Sequence, residues 1–155
     1  MPLVTTTVMT LPREPGPSST VDVVIPSDPA EARRVQDEIE RLLRAHQASE
    51  KDIFGIRLAL EEALVNAIKH GNQMDRAKKV QISYRLHIDR FEIDIADEGP
   101  GFDPGDVPDP TAIENLERPC GRGLMLMRHY MNEVVYSPRG NSVRMSKVFK
   151  ANGKK

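Results

Sequence analysis

At 155 residues, with 22 basic and 23 acidic side chains and a formal charge of -1, the chain fits one domain and carries no basic excess that would point to nucleic acid. It has no apolar run of the roughly 18 residues that a membrane helix needs, so no membrane span is expected. The single Cys120 excludes an internal disulfide framework and any cysteine-built metal site. The absence of a charged-then-apolar leader makes a cytoplasmic location the expectation.

Residues 1–20 are rich in Pro, Ser and Thr and have little to bury, so a disordered tail is expected there. Val21 to Ile25 reads as a short strand closed by Pro26. Asp28-Pro29-Ala30-Glu31 has the spacing of a capping box with proline at the first helical position. The helix that follows would bury Ala32, Val35, Ile39, Leu42 and Leu43 and present its charged residues to solvent.

Ser49-Glu50-Lys51-Asp52 repeats the capping spacing and opens a second, central helix that runs to about His70, with Gly71-Asn72 as its stop. Ile53, Ile56, Leu60, Ala63, Leu64, Ala67 and Ile68 recur at helical spacing and predict the core face. Glu62 and Asn66 fall one turn apart on the opposite, polar face. A carboxylate beside a neutral amide oxygen suits a site that needs a general base next to a hard cation. Magnesium prefers oxygen ligands and keeps several waters, so one asparagine suffices when phosphates supply the rest.

Val80 to Ile88 and Phe91 to Ile95 alternate apolar and polar residues around a turn at Asp89-Arg90, which predicts an antiparallel hairpin with one buried face. The second strand runs into Asp97-Glu98-Gly99-Pro100-Gly101-Phe102. A long loop rich in Pro, Asp and Gly follows, of the kind that serves as a lid or binding loop. Gly121-Arg122-Gly123 ends it, ahead of a short buried helix over Leu124 to Met131. A closing hairpin, Val134 to Tyr136 and Val143 to Phe149, is predicted around Pro138-Arg139-Gly140-Asn141. Residues 150–155 read as a frayed tail.

Two glycine-bearing turns thus flank the loop. Asp97 at a strand end can accept a hydrogen bond from an exocyclic amine such as that of adenine, with Gly99 and Gly101 giving the backbone a close approach. Gly121 and Gly123 precede a helix N-terminus, whose free N–H groups and dipole suit an anion, and Arg118 and Arg122 add positive charge. Each motif is weak alone. Their order is the stronger signal: a helix with Glu and Asn, a strand ending in Asp-x-Gly-x-Gly, a long loop, then Gly-x-Gly at a helix start.

In that order the sequence resembles the GHKL ATPase superfamily and, within it, the small anti-sigma-factor serine kinases of bacteria. The resemblance rests on Glu62 to Gly71, Asp97 to Phe102 and Leu116 to Leu124, supported by Met127 and Met131-Asn132-Glu133-Val134. It covers about residues 21–149, which would form one ATP-binding kinase domain. It implies an α+β fold, a two-layer α/β sandwich of helices on a mixed, mostly antiparallel sheet. It implies ATP and Mg2+ as ligands, Glu62 as catalytic base and Asn66 as the magnesium ligand. Asp97 would read the adenine amine beside Gly99 and Gly101. Gly121, Arg122, Gly123 and Leu124 would hold phosphates at the start of the next helix, under a lid over 103–120 that carries Arg118. Arg34 matches a position that relatives use to meet partner proteins.

The implied activity is that of an ATP-dependent serine/threonine-protein kinase acting as an anti-sigma factor. Its partners would be a sigma factor and an anti-anti-sigma protein of the STAS type, and relatives commonly form a homodimer. The alternatives are a nucleotide-dependent regulatory binding module without phosphotransfer, or a detached histidine-kinase ATPase domain. Glu62 favours the enzyme. One departure stands out: family members often carry Gly-Thr before the last strand, where this chain has Gly140-Asn141-Ser142.

Overall fold

A computed structural model describes residues 20–100 and 119–149, with the side chains of 119–122 left out of the description. The expected tails, apart from Thr20, lie outside these residues, as do Gly101, Arg118 and most of the expected lid. The element order is β1 (Val21–Pro26), α1 (Pro29–Ala45), α2 (Glu50–Val65) with a π-helical turn (Asn66–Gly71), β2 (Lys79–Leu86), β3 (Arg90–Ala96), α3 (Pro119–Tyr130), β4 (Glu133–Tyr136) and β5 (Ser142–Val148).

Both capping residues work, though neither forms the full reciprocal box. The Asp28 carboxylate accepts the Ala30 N–H at 2.9 Å. Its own N–H donates to the Pro26 carbonyl, and Glu31 instead faces Arg34 at 3.9 Å. The Ser49 hydroxyl accepts the Asp52 N–H at 3.0 Å. Removing such a cap typically costs about 1 kcal/mol. α1 buries Ala32, Val35, Ile39 and Leu43, with Leu42 half-buried at the margin. Every residue of the expected core face of the central helix is buried.

The end of that helix differs from expectation. The backbone widens into a π-helical turn from Asn66 and closes with the Asn72 N–H on the Ala67 carbonyl at 2.8 Å. The left-handed residues that reverse the chain are Gln73 (φ 56°) and Met74 (φ 61°), not Gly71. Gly71 is needed for a different reason, a close approach that the site makes clear.

The sheet has the order β1-β2-β3-β5-β4, and all its described pairings are antiparallel, so the expected mixed sheet contains no parallel pair among them. Two helices between β1 and β2 return the chain in the opposite direction, and the closing hairpin inserts β5 beside β3. The β2–β3 turn is closed by the His87 N–H on the Arg90 carbonyl, so it centres on Ile88-Asp89, one residue earlier than expected. α3 begins at Pro119 and takes in Gly121 and Gly123, which therefore lie inside the helix instead of before it.

Strict alternation gives the sheet one apolar face. Ile25, Val80, Ile82, Tyr84, Phe91, Ile93, Ile95, Val143 and Met145 are buried together with the core residues of the three helices. The other face carries a charge ladder across the central strands. Arg85 pairs with Glu92 at 3.1 Å and with Asp94 at 3.3 Å, and Arg144 pairs with Asp94 at 2.8 Å. Burial pushes the Glu92 carboxyl up, but hydrogen bonds from Arg90, His87 and Arg85 together outweigh it and hold the group at about 2. This two-layer arrangement leaves the polar side of the central helix, the end of β3 and the start of α3 on one edge of the molecule.

Candidate nucleotide site

Glu62 and Asn66 stand on the polar side of α2 because the apolar spacing commits the other side to the sheet. α3 packs across this helix. Its Gly123 comes so close that an added Cβ would lie 2.8 Å from Glu62 Oε1 and 3.3 Å from Asn66 Nδ2. A residue without a side chain therefore brings the start of α3 onto the Glu–Asn pair. Leu124, one residue on, turns into the core and is buried, so any contact it made to a phosphate would be through its backbone.

Asp97 follows β3 and its N–H donates to the Asn141 carbonyl at 2.9 Å. Its Oδ1 accepts the Gly99 N–H at 2.7 Å, which closes a tight turn. This turn docks on the end of the central helix through two glycines. A Cβ on Gly71 would meet the Asp97 carboxylate at 2.4–2.6 Å, and a Cβ on Gly99 would stand 2.0 Å from the Gly71 carbonyl oxygen. The glycine of the Asp-x-Gly motif thus serves backbone-to-backbone packing. Burial pushes the Asp97 carboxyl up, against the opposing effects of the Gly99 N–H and the charge of Lys78.

Asn66 and Asp97 share the wall of a cavity of about 80 Å³. Gly71, Ile95 and the Gly140-Asn141-Ser142 turn line it too, with Gly140 in the left-handed region at φ 78°. The structure therefore brings Gly123 to Glu62 and Asn66, sets Asn66 and Asp97 on one cavity wall, and rests Gly99 on Gly71 of that wall. Arg34 is outside it, exposed on α1. Gly101 and Arg118 fall outside the described residues, and Gly121 and Arg122 lie in the first turns of α3. A larger groove of about 550 Å³ runs between α1 and α2 past Arg33, Glu40, Arg57 and Lys69, and none of the expected site residues lines it.

The donor set fits magnesium held mainly by a ligand. Among the described residues no cluster of three or more His, Cys, Asp or Glu could cage an ion. One amide oxygen from Asn66, with waters and phosphate oxygens, suits an ion that resists full dehydration. Two residues of the cavity wall, Tyr136 and Asn141, are not legible as such along the chain. Both belong to the closing hairpin, whose only signal was the Gly140-Asn141-Ser142 departure. Asn72, read as a helix stop, is fully buried.

This is a two-layer α/β sandwich in which several of the expected site residues gather at the C-terminal end of the central helix. A family model for the histidine kinase-like ATPase domain matches residues 25–147, and the chain belongs to that family. It is 34% identical over 105 residues to the serine-protein kinase RsbW of Bacillus licheniformis, a match that covers 62% of this chain and 64% of that protein. The chain thus spans a little under two thirds of that relative's length. The match to the serine-protein kinase RsbW of Bacillus velezensis is 32% over 143 residues, covering 84% of this chain and 88% of that one. An anti-sigma F factor of Oceanobacillus iheyensis is 37% identical over 102 residues, 62% of this chain and 69% of its own. The crystal structure of the RsbU and RsbW domains of a Mycobacterium tuberculosis protein shares the fold, with a TM-score of 0.58 and 16% identity over 86% of this chain and 32% of that one. Among the described residues no helix is long and apolar enough to cross a membrane.

Proposed function

We propose that the chain is an ATP-dependent serine/threonine-protein kinase of the cytoplasm that acts as an anti-sigma factor. It phosphorylates a serine of an anti-anti-sigma partner and sequesters a sigma factor. The observation that carries this reading is the contact of Gly123 with both Glu62 and Asn66, which sets the start of a helix against a carboxylate and an amide. The names of the RsbW and anti-sigma F relatives support the choice of substrate class.

In this reading Asp97 accepts the adenine amine while its other oxygen holds the Gly99 N–H. The N–H groups at the start of α3, aided by Arg122 and by Arg118 of the lid, hold phosphate oxygens. Asn66 supplies one oxygen to magnesium, which when bound neutralises charge on the phosphates. Glu62 takes the proton of the partner's serine hydroxyl as that oxygen bonds to the γ-phosphorus and the bond to the bridging oxygen of ADP breaks. The phosphate adds charge to the partner's surface and releases it. Arg34 belongs to the surface that meets protein partners.

The test is transfer of labelled γ-phosphate from ATP to a serine of the cognate partner. Wild type should label it, and Glu62→Ala should lose transfer while keeping ATP binding. Wild type that binds ATP and the partner but labels neither would instead make the chain a nucleotide-dependent binding module.

A further inference from the structure

Asn72 has no solvent exposure, yet it carries a primary amide in the middle of the junction between four segments. Its Nδ2 donates to the Ser27 hydroxyl at 2.9 Å and to the Lys79 carbonyl at 3.0 Å. Its Oδ1 accepts the Glu98 N–H at 2.8 Å. The orientation of the amide is fixed by its neighbours: the Lys79 carbonyl can only accept and the Glu98 N–H can only donate. Ser27 is itself buried and passes its hydroxyl proton on to the Lys78 carbonyl at 2.8 Å. The amide thus ties the corner between β1 and α1, the end of the central helix, the start of β2 and the turn after β3 into one hydrogen-bonded node.

We propose that Asn72 is a positioning residue for nucleotide recognition, holding the Asp97-Glu98-Gly99 turn in register against the helix end so that Asp97 meets the exocyclic amine of adenine. The inference rests on the nucleotide reading above. The two successive N–H groups of the turn are both taken, that of Glu98 by Asn72 and that of Gly99 by Asp97 itself. Glu98 adds a third tie, its Oε2 accepting the Lys79 N–H at 2.8 Å. The Asp97 carboxylate keeps its aim through its bond to the Gly99 N–H, and the Asn72 bond, with that of Glu98 to Lys79, holds the intervening peptide from outside the turn. Only an amide of this length serves. An aspartate would set a carboxylate oxygen against the Lys79 carbonyl, and an apolar isostere would leave both the Glu98 N–H and that carbonyl without a partner.

The test compares ATP with inosine triphosphate, which has a carbonyl in place of the amine, by calorimetric titration in the presence of magnesium. Wild type should prefer ATP by about tenfold to a hundredfold, the worth of a hydrogen bond to a charged group. Asn72→Asp should bring that ratio to near one with little change in affinity for inosine triphosphate, because the Asn66 side of the site is untouched. In an Asp97→Ala background, where no side chain is left to tell an amine from a carbonyl, adding Asn72→Asp should not move the ratio. A folded Asn72→Asp chain that keeps the wild-type ratio, or loses both affinities equally, overturns the positioning role while leaving the nucleotide reading intact. Wild type that binds neither nucleotide overturns the nucleotide reading and the inference with it, whereas wild type that binds both alike removes the adenine contact of Asp97 and overturns the inference alone. Should the variant not fold, hydrogen exchange of the Glu98 amide in the nucleotide-free wild-type chain decides: protection comparable to the sheet amides supports the node, and exchange at the rate of an open turn refutes it.

Discussion

Gly99→Ala should damage both the fold and the proposed adenine wall, and its size can be worked from the contact. The new Cβ would lie 2.0 Å from the Gly71 carbonyl oxygen, 2.5 Å from its carbon and 2.9 Å from its Cα. All three are backbone atoms, so nothing can rotate aside. Ordinary non-bonded contact needs about 3.5 Å, so the turn must retreat by roughly 1.5 Å. That shift breaks the bond of the Glu98 N–H to Asn72, now 2.8 Å long, and takes this partner from the buried Asn72 oxygen. Losing it costs about 1–3 kcal/mol, and the crowding adds a similar amount. The smaller entropy of an unfolded alanine chain returns at most about 1 kcal/mol. The expected net loss is roughly 1–6 kcal/mol in urea unfolding, with ATP affinity falling at least about tenfold in the fraction that remains folded. A variant within about 0.5 kcal/mol of wild type that still binds ATP would refute the reasoning, because it would mean that the turn does not rest on the helix end.

Gly123→Ala should behave in the opposite way. Its Cβ would meet Glu62 Oε1 at 2.8 Å, the free end of a side chain that can rotate, and alanine favours the helix by about 1 kcal/mol. Urea stability should hold or rise while phosphate transfer falls; transfer at the wild-type rate would contradict the role given to Glu62. For Asp97→Asn the sign follows from a carboxyl held above its ordinary 3.8 by burial. The folded state binds the proton more tightly, so wild type loses stability as pH rises from 3.8 through the raised value. The amide can still accept the Gly99 N–H, so unfolding of the nucleotide-free variant, followed from pH 3.8 upward, should show no such loss and should match or exceed wild type at neutral pH, with ATP binding weakened. Glu92 has the reverse sign. Its carboxyl is lowered from 4.5 to about 2, so its stabilisation is complete above 4.5 and is lost as pH falls toward 2. Glu92→Gln should flatten that part of the acid unfolding curve, and an unchanged slope would count against the ladder. Gln73→Gly, at φ 56°, should stabilise the chain by up to about 1 kcal/mol in the same assay, a loss being the contrary result.

What was legible in the sequence was what obeys a local period or a local cap. The alternation of Val80, Ile82 and Tyr84 sets which face of β2 is buried, whatever lies elsewhere, and the spacing of Ile56, Leu60 and Leu64 does the same for the central helix. Asp28 and Ser49 act within their own first turns. The misplaced features depend on partners distant in the chain. Gly71 looks like a helix stop because glycine commonly is one, but its lack of a side chain answers to Asp97, and Gly99 answers to Gly71. Asn72 looks like turn composition until Ser27 and Glu98 arrive beside it. The spacing places the start of α3 too late because glycines ordinarily mark loops, whereas Gly123 is a helical residue pressed on another helix.

The same helix end explains why the two halves of the site cannot vary independently. The π-helical turn begins at Asn66, on the proposed phosphate side, and ends at Gly71, on the adenine side. Its i to i+5 bonding, seen in the Asn72 N–H on the Ala67 carbonyl, sets the rotation of Gly71 relative to Asn66. A regular α-helical turn over these residues would rotate Gly71, and with it the carbonyl on which Gly99 rests, away from the Asp97 turn. Asn72 would then leave the reach of both Ser27 and Glu98. The widened turn, the glycine contact and the buried amide are therefore one geometric solution. It holds Asn66, at the C-terminal end of a long helix, and Asp97, just after a strand, on the wall of one cavity.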